Sequence, residues 1–542
     1  MARTAIQEAV VSALRGMGVT TAPDLELTRA RNPAHGDYTT SVAMKLAREL
    51  RQPPPVIAGS LAQRIDVAEA DVEAVGGYVN FRLRPSWLRA LVGHVAATPD
   101  YGSNRDGAGS RVQVEFVSTN PTGPLHIGHG RGAILGDVLG RLLTFTGHEV
   151  QREYYVNDYG SQARRFGDSI YARLTGTTPP PNGYVGEYVT ELAEQARRDV
   201  PDLDRLSPNE AIDALRDYGT ARMISEFERT LERIGVRYDC WYSEKSLWDE
   251  GLAWTAVERL RERGLLQERE GAVWFKNADQ DEEGDDEERV VFRRDGTHTY
   301  FASDLGYLLS RFEARSFDRV IEVWGADHHG YVRRIKGAAA ALGLDPDALV
   351  IILNQMVNLR EGKMSKREGR FVTLNELIDR VGADAVRYFY LLRSPDAMME
   401  FDLQLAVEQR SENPVYYAQY AHARLVNVER TAAETHADLP PTPDLELLDK
   451  PWELALARQI AYWPDAAATA ARLLEPHRLP YYVHDLADAV HVFYHAGNEN
   501  PEHRVVVPDT VLTRARLELC RAARVTLKVA LDLMGVSAPD RM

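Results

Sequence analysis

Apolar and polar positions change rhythm along this chain, and each change marks an element. In "RVQVEFVS", Val112, Val114 and Phe116 alternate with polar residues, the period of a strand buried on one face. After a glycine-rich turn, Ile134, Leu135, Val138, Leu139, Leu142 and Leu143 mark one face of a helix, which Gly147 closes. "EVQREYYV" returns to a strand, so the three pieces predict a βαβ unit. "RVIEVWG" and "LVIILNQMV" read as further strands. Strands alternating with helices predict a parallel, doubly wound sheet of Rossmann type.

The flanks differ. "VSALRGMG" predicts an amphipathic helix ending at glycine. "DYTTSVAMKLAREL" predicts a second, stopped by Pro53, Pro54 and Pro55. "EAVGGYVNFRLR" carries a Gly-Gly turn and then strand alternation at Tyr78, Asn80, Phe81 and Leu83. "TPDYGSNRDGAGS" is a turn-rich linker. The chain is therefore expected to be multidomain α/β: a small α/β unit over 1–105, the parallel-sheet domain over 106–404 and an all-α domain over 405–542. A helical insertion at about 165–265 is expected between the two halves of the sheet. The all-α part reads as helices joined by Pro-rich loops such as "ADLPPTPDLELLDK". There are no internal repeats.

Composition narrows the setting. A chain of 542 residues exceeds one ordinary core, in keeping with three domains. No run of 18 apolar residues occurs, so no membrane span is expected. The opening "MARTAIQEAVVSALRGMG" has helical spacing interrupted by Glu8 and does not read as a signal peptide. Cys240 and Cys520 are the only cysteines, which excludes a disulfide framework or a Cys-based zinc site and predicts a reduced, cytoplasmic setting. The formal net charge of -16 argues against nucleic acid as a partner, although a local basic face can sit on an acidic protein. Much of the excess lies in "DQDEEGDDEER", Asp279 to Arg289, read as a solvated loop.

The turn after the first strand is "NPTGPLHIGHGRG". Gly128 to Ala133 fits the permissive G-x-G-x-x-A dinucleotide pattern, with Glu153 about 20 residues on. The fit is weak, because Asn120, Pro121, Gly123 and Pro124 separate those glycines from the strand, and a nicotinamide site does not explain the histidines. His126 and His129 are three apart at a helix start and share one face. A helix N-terminus attracts phosphate, and two imidazole donors there suit a polyphosphate that gains charge during reaction. Gly128 is read as leaving room for a flat base. The alternative is a pair of solvent-facing cap histidines. Far along the chain, "LREGKMSKREGRFVTL" sets Lys363, Lys366 and Arg367 among glycines after a strand. Alone it is a solvated basic loop; with the histidine pair it becomes a cationic clamp for a leaving pyrophosphate.

Together "HIGH" and "KMSK" resemble the class I aminoacyl-tRNA synthetases, and "WGADHHG" is similar to the Gly-x-Asp strand end of that class. The likeness implies an ATP site of His126, Gly128, His129, Gly325, Asp327, His328, Lys363, Met364, Ser365 and Lys366, with His126, His129, Lys363 and Lys366 catalytic and Mg²⁺ accompanying ATP. Isoleucine, valine and leucine enzymes need a large editing domain, because one methylene discriminates poorly. The insertion is too short for that. Cysteine and methionine enzymes often carry Cys-based zinc, whose ligands are missing. An arginine substrate instead needs carboxylates to hold its guanidinium. "EFVSTNPTGPLHIGHGRG", "DGTHTYFASDLGY", "VWGADHHGY" and "NPVYYAQYAHAR" resemble the arginyl-tRNA synthetase family over nearly the whole chain. The likeness implies that Asn120 and His126 hold the α-amino and carboxylate end of L-arginine, and that Glu115, Tyr300 and Asp304 hold the guanidinium. For Glu115 the alternative is a strand-end charge paired with a nearby Lys or Arg.

The same resemblance implies an N-terminal add-on domain meeting the tRNA elbow through Tyr78 and Asn80, and an anticodon-binding domain meeting tRNA(Arg) through Tyr416 and Tyr420. A half-buried sheet tyrosine and ordinary helix packing are the alternatives. It also implies a monomer, with arginine activated once tRNA is bound. In the last helix, Arg514, Arg521, Arg524 and Lys528 fall on one side, opposite Arg516, and Arg521 and Arg524 are expected to face tRNA phosphates. Pairing with neighbouring acids is the alternative. Two other functions share parts of this pattern: a nucleotidylyltransferase, disfavoured by the helical domain, and an inactive RNA-binding or arginine-sensing relative, disfavoured by the intact His and Lys motifs.

Overall fold

The computed structural model describes residues 2–21, 23–276, 290–360, 372–436 and 438–542. Its central sheet has five parallel strands: β1 (Arg111–Phe116), β2 (Glu149–Val156), β3 (Cys240–Ser243), β4 (Arg319–Gly325) and β5 (Leu349–Asn354). Their order across the sheet is β5-β4-β1-β2-β3. The chain thus steps outward from β1, returns to its other side, and steps outward again. That reversal opens a crevice at the carboxyl ends of β1 and β4.

Helix α1 (Ile127–Phe145) follows β1 and lies close against it. A Cβ on Gly136 would stand 2.1 Å from Phe116 Cγ, and one on Gly130 would stand 2.6 Å from Leu374 Cδ1. Glycine at these positions is a packing requirement. Helix α2 (Gly160–Thr175) follows β2, and α3 (Tyr300–Leu309) precedes β4. The N-terminal unit is a four-stranded antiparallel sheet with helices. Beyond residue 405 the described residues form helices, four of them long: Pro414–Thr435, Pro451–Leu473, Arg478–Glu499 and Thr510–Met534.

Three local expectations need correction. The helix expected from Asp37 starts at Val42, because Tyr38–Thr40 is a strand paired with Val79–Phe81. Its two β-branched threonines fit a pleated surface better than a helix. The Gly-Gly turn joins two strands, Ala70–Val75 and Tyr78–Leu83, where only the second was expected. The stretch at 165–265, read as helical, holds β3, the edge strand of the central sheet. Four residues are too few to show a period. What seats β3 is tertiary: Trp241 stacks on Tyr154 of β2 at 4.4 Å.

Arg387 ties these parts together. Its buried guanidinium donates to the Asp137 carboxylate on α1, to the Ile234 carbonyl at 2.6 Å and to the Met534 carbonyl at 2.7 Å. One side chain therefore joins α1, the end of the helix Pro208–Arg233 and the end of the last helix. Arg387→Met leaves Asp137 and two carbonyls short of a donor. Arg141 Nε still donates to Asp137 at 2.8 Å, so the cost is that of buried acceptors left short of a donor, about 1–3 kcal/mol, rather than that of an uncompensated charge. Denaturant unfolding should show the first transition weakened by that amount; a loss below about 1 kcal/mol would mean that the three elements hold together without it.

Candidate active site

The crevice holds a cavity of about 1020 Å³. Six of the residues singled out from the sequence line it: Glu115 and Asn120 from β1 and the turn after it, Tyr300 and Asp304 from α3, and Gly325 and His328 from the end of β4 and the turn after it. The turn after β1 is strained. Val117 (φ 72°) and Ser118 (φ 37°) sit in the left-handed region, which costs of order 1–3 kcal/mol each for a side-chain-bearing residue. Tertiary bonds hold it there. Tyr238 Oη donates to the Phe116 carbonyl at 3.0 Å, Tyr154 Oη donates to the Thr119 carbonyl at 2.8 Å, and Ser118 Oγ accepts the Tyr155 N–H at 3.0 Å.

One wall of the cavity is acidic. Tyr300 and Asp304, one helical turn apart, share the face of α3 that lines it. Asp304 is half-buried at the cavity wall and accepts a hydrogen bond from Tyr331 Oη. Desolvation at the wall, with a smaller push from Glu322, raises its pKa to about 7 against the opposing Tyr331 bond and Arg311. Glu115 behaves differently. Arg311 Nη1 donates to its carboxylate at 3.1 Å and also to Glu322, all three residues being buried. Arg311 lies in a π-helical turn, Ser310–Ala314, that continues α3 and brings its guanidinium to β1 and β4. Such turns occur frequently at functional sites. Glu115 thus lines the cavity with an internal guanidinium already beside it, the pairing weighed above as the alternative to a substrate contact. Asn120 is held by Gln162, which also lines the cavity.

The histidine turn caps α1. His126 Nδ1 accepts the Gly128 N–H at 3.1 Å, and His129 Nδ1 accepts the His126 N–H at 3.2 Å. The rings stack with centroids 3.5 Å apart. This bonding assigns the proton of each neutral ring to Nε2, making that nitrogen the donor. Burial lowers the pKa of both, and His126 beside it takes His129 down to about 3. Both rings are therefore neutral at physiological pH. A Cβ on Gly128 would meet His126 Cε1 at 3.0 Å, so the glycine makes room for the His126 ring, where a flat base had been expected. Neither histidine lines the main cavity.

At the end of β4, a Cβ on Gly325 would stand 2.3 Å from Asp327 Oδ1. Asp327 is exposed, 3.7 Å from His328 Nε2. Lys363, Met364, Ser365 and Lys366 lie outside the described residues, as does the acidic run 279–289. The segment after the lysine motif is stitched to the histidine turn: Leu374 N–H donates to the Leu125 carbonyl at 2.8 Å, and His126 bridges Thr373. The histidine turn and the described segment at 372–374, distant in the chain, thus share a backbone junction.

Sequence reasoning missed several contributors. Arg131, inside the quoted turn, is buried and donates to the carbonyls of Ser394, Ala397 and Gln355 at 2.8–3.1 Å. Arg311, Glu322 and Tyr331 were missed because their partners are distant in the chain and their spacing carries no signal. Tyr331 alone had a hint, one helical turn beyond Asp327.

For RNA contact the surface divides the candidates. Tyr78 is exposed, whereas Asn80 is buried and accepts from Thr39 Oγ1 at 2.7 Å, which corrects its expected contact with RNA. Tyr416 and Tyr420 stack side by side with centroids 5.8 Å apart. The basic stripe is already paired: Arg514 and Arg521 with Glu518, Arg524 with Glu429 at 2.9 Å, and Lys528 with Asp532 at 2.8 Å. Arg521 and Arg524 stay partly exposed, so a phosphate there would compete with these acids.

Three family models match: the arginyl tRNA synthetase N terminal domain over residues 4–83, the class I (R) tRNA synthetase catalytic domain over 97–171 and 187–428, and the DALR anticodon binding domain over 418–542. The arginine–tRNA ligase of Moorella thermoacetica is 43% identical over 96% of this chain and 94% of its own. That of Desulforudis audaxviator is 44% identical over 99% and 98%. The solved arginyl-tRNA synthetase of Thermus thermophilus superposes with a TM-score of 0.81 at 26% identity, covering both chains in full.

Two measurements follow from this geometry. A guanidinium requires the ionised form of Asp304, so affinity for L-arginine should fall about tenfold between about pH 8 and about pH 6, as the group protonates through its raised pKa of about 7. Asp304→Asn should bind weakly with a flattened profile; a wild-type affinity indifferent to pH would move the guanidinium elsewhere. For the stripe, Arg521→Gln with Arg524→Gln should lower the salt dependence of RNA binding by less than the roughly 0.7–0.9 of log–log slope that each unpaired phosphate contact carries.

Proposed function

Because the chain belongs to the arginyl-tRNA synthetase family of class I enzymes, we propose that the crevice between β1 and β4 activates L-arginine with ATP and passes it to the 3′ end of tRNA(Arg). The observation that carries this reading is a half-buried carboxylate with no ion-paired cation among the described residues, Asp304, in a cavity at the sheet's reversal point, near a helix headed by stacked neutral histidines. The acidic wall takes the guanidinium through Asp304 and Tyr300. Glu115, paired with Arg311, stands at the same wall as the third member of that contact. Asn120 and His126 take the α-amino and carboxylate end.

The arginine carboxylate attacks the α-phosphate of ATP, forming arginyl-adenylate and releasing pyrophosphate. His126 and His129 serve as Nε2–H donors to phosphate oxygens, and Lys363 and Lys366 meet the charge growing on pyrophosphate. Gly325, Asp327 and His328 lie toward the ATP ribose, and Gly128, Met364 and Ser365 complete the nucleotide site. A hydroxyl of the terminal tRNA adenosine then attacks the adenylate carbonyl and releases AMP. No covalent enzyme intermediate is needed; positioning and electrostatics suffice.

Among the described residues no group of three or more His, Cys, Asp or Glu could hold a metal ion. Mg²⁺ enters with ATP, held chiefly by its phosphates, as is usual for this ion. Tyr78 meets the tRNA elbow, and Tyr416 and Tyr420 meet the anticodon loop, which gives the parts at 1–105, 106–404 and 405–542 their roles. No helix among the described residues is long and apolar enough to cross a membrane. A cytoplasmic monomer fits this function.

Arginine-dependent ATP–pyrophosphate exchange, measured with and without tRNA and alongside tRNA charging, tests the reading. Exchange without charging under any tRNA would sink it in favour of nucleotidyl transfer. Lys366→Ala should slow adenylate formation by about 10²-fold and leave arginine affinity unchanged, because the lysine acts on charge present only in the transition state. A wild-type single-turnover rate would remove the lysine from the chemistry.

A further inference from the structure

Beside the cavity three rings form a column. Tyr159 lies parallel to His298, with centroids 5.0 Å apart and planes 5° apart, and His298 packs on Trp248 at 4.0 Å. The inner end is anchored: Trp248 Nε1 donates to Ser303 Oγ at 3.1 Å on α3. The outer end is open, because Tyr159 is 36% exposed. The column adjoins the cavity through its chain neighbours. Tyr159 stands two residues after Asn157 and His298 two residues before Tyr300, and both Asn157 and Tyr300 line it.

Charge around the column suits a nucleotide. Tyr159 is the N-cap of α2, whose first turn has no side-chain cap and no acidic residue. The first-turn amides of a 16-residue helix thus point out beside an exposed ring. Arg293 lines the cavity, is tethered by donating to the His298 carbonyl at 2.9 Å, and pairs with no carboxylate among the described residues. Burial lowers the His298 pKa, keeping the middle ring neutral, so the column presents a π face to a base.

We propose that Tyr159 is a stacking platform for an unpaired nucleotide at the 3′ end of tRNA, its base lying on the ring and its phosphate toward the start of α2 and Arg293, as the terminal adenosine enters the cavity. The proposal rests on the tRNA-charging function above. Base stacking on a protein ring is sequence-tolerant and sizeable, which suits single-stranded ends common to many tRNAs. The adenine of ATP has the same chemistry, so the test separates the two sources.

The experiment uses the full-length enzyme with tRNA carrying 2-aminopurine in its unpaired 3′ segment, together with steady-state charging. Stacking should quench the fluorophore on binding to wild type and to Tyr159→Phe. Tyr159→Ala should lose the quench and about 10-fold in kcat/KM for tRNA, with unchanged melting temperature and unchanged KM for ATP and arginine. Retention of both the quench and the tRNA kcat/KM in Tyr159→Ala overturns the platform. A raised ATP KM with unaltered tRNA kinetics also overturns it, assigning the ring to adenine. A wild-type enzyme that never charges tRNA would fail the functional reading instead, before the ring is tested.

Discussion

A carboxylate cannot stay charged inside a protein without a partner, and that constraint organises this molecule. Four of its largest fully buried side chains are arginines: Arg131, Arg311, Arg387 and Arg516. Three of them hold a buried carboxylate: Arg311 holds Glu115 and Glu322, Arg387 holds Asp137, and Arg516 holds Glu453. Arg131 holds carbonyls instead. Each planar fork reaches two or three acceptors at once, which a lysine could not match. These contacts cross between elements, so they fix how elements meet as well as neutralising charge. The helix that carries the histidine turn is pinned this way at two points: Arg131 fastens its start to the loops at 355 and 394–397, and Asp137 fastens its middle to Arg387.

The same constraint shapes the cavity. Among Glu115, Glu322 and Asp304, the internal guanidinium of Arg311 serves the first two. Asp304 has a phenol as its hydrogen-bond partner and no ion pair among the described residues. A phenol supports a carboxylate without neutralising it, so Asp304 keeps the demand for a cation that desolvation at the wall makes strong. Desolvation is also why its pKa lies near neutrality: the group is poised between taking a proton and taking a guanidinium. At the other end of the site the logic reverses. The two histidines are kept neutral by burial and by each other, so they meet an anion as oriented dipoles and do not depend on pH to do so.

How much of this could be read in advance follows from the range of each interaction. The βαβ unit was legible because alternation at Val112, Val114 and Phe116, and the apolar stripe from Ile134, are local signals. The chemistry of the turn was legible because His126 and His129 are close in sequence. Strand β3 was not, being four residues held by Trp241 on Tyr154 and by pairing with β2. Glu115 shows the limit best. Its place at the cavity follows from its place on β1, but its partner lies 196 residues away on a π turn that no periodicity announces. Asn80 failed for a related reason: alternation put it on the same face as exposed Tyr78, and Thr39, from another strand, covers it.

Net charge and RNA contact also meet here. A protein of charge -16 that pairs its most conspicuous basic stripe with carboxylates has little general attraction for phosphate on that face. Pairing does not make those arginines inert; it means that a phosphate must compete with a carboxylate already in place, which lowers what each contact adds. Aromatic rings do not face that competition. Tyr78, Tyr159 and Tyr420 are exposed on three separate parts of the chain, and a ring attracts a base whatever the net charge around it. An acidic protein that handles RNA through exposed rings gains selectivity for unpaired bases over duplex, because only an unpaired base offers its face. For an enzyme whose substrate presents single-stranded nucleotides at its loops and its 3′ end, that trade replaces affinity for any polyanion with affinity for the segments that must be positioned.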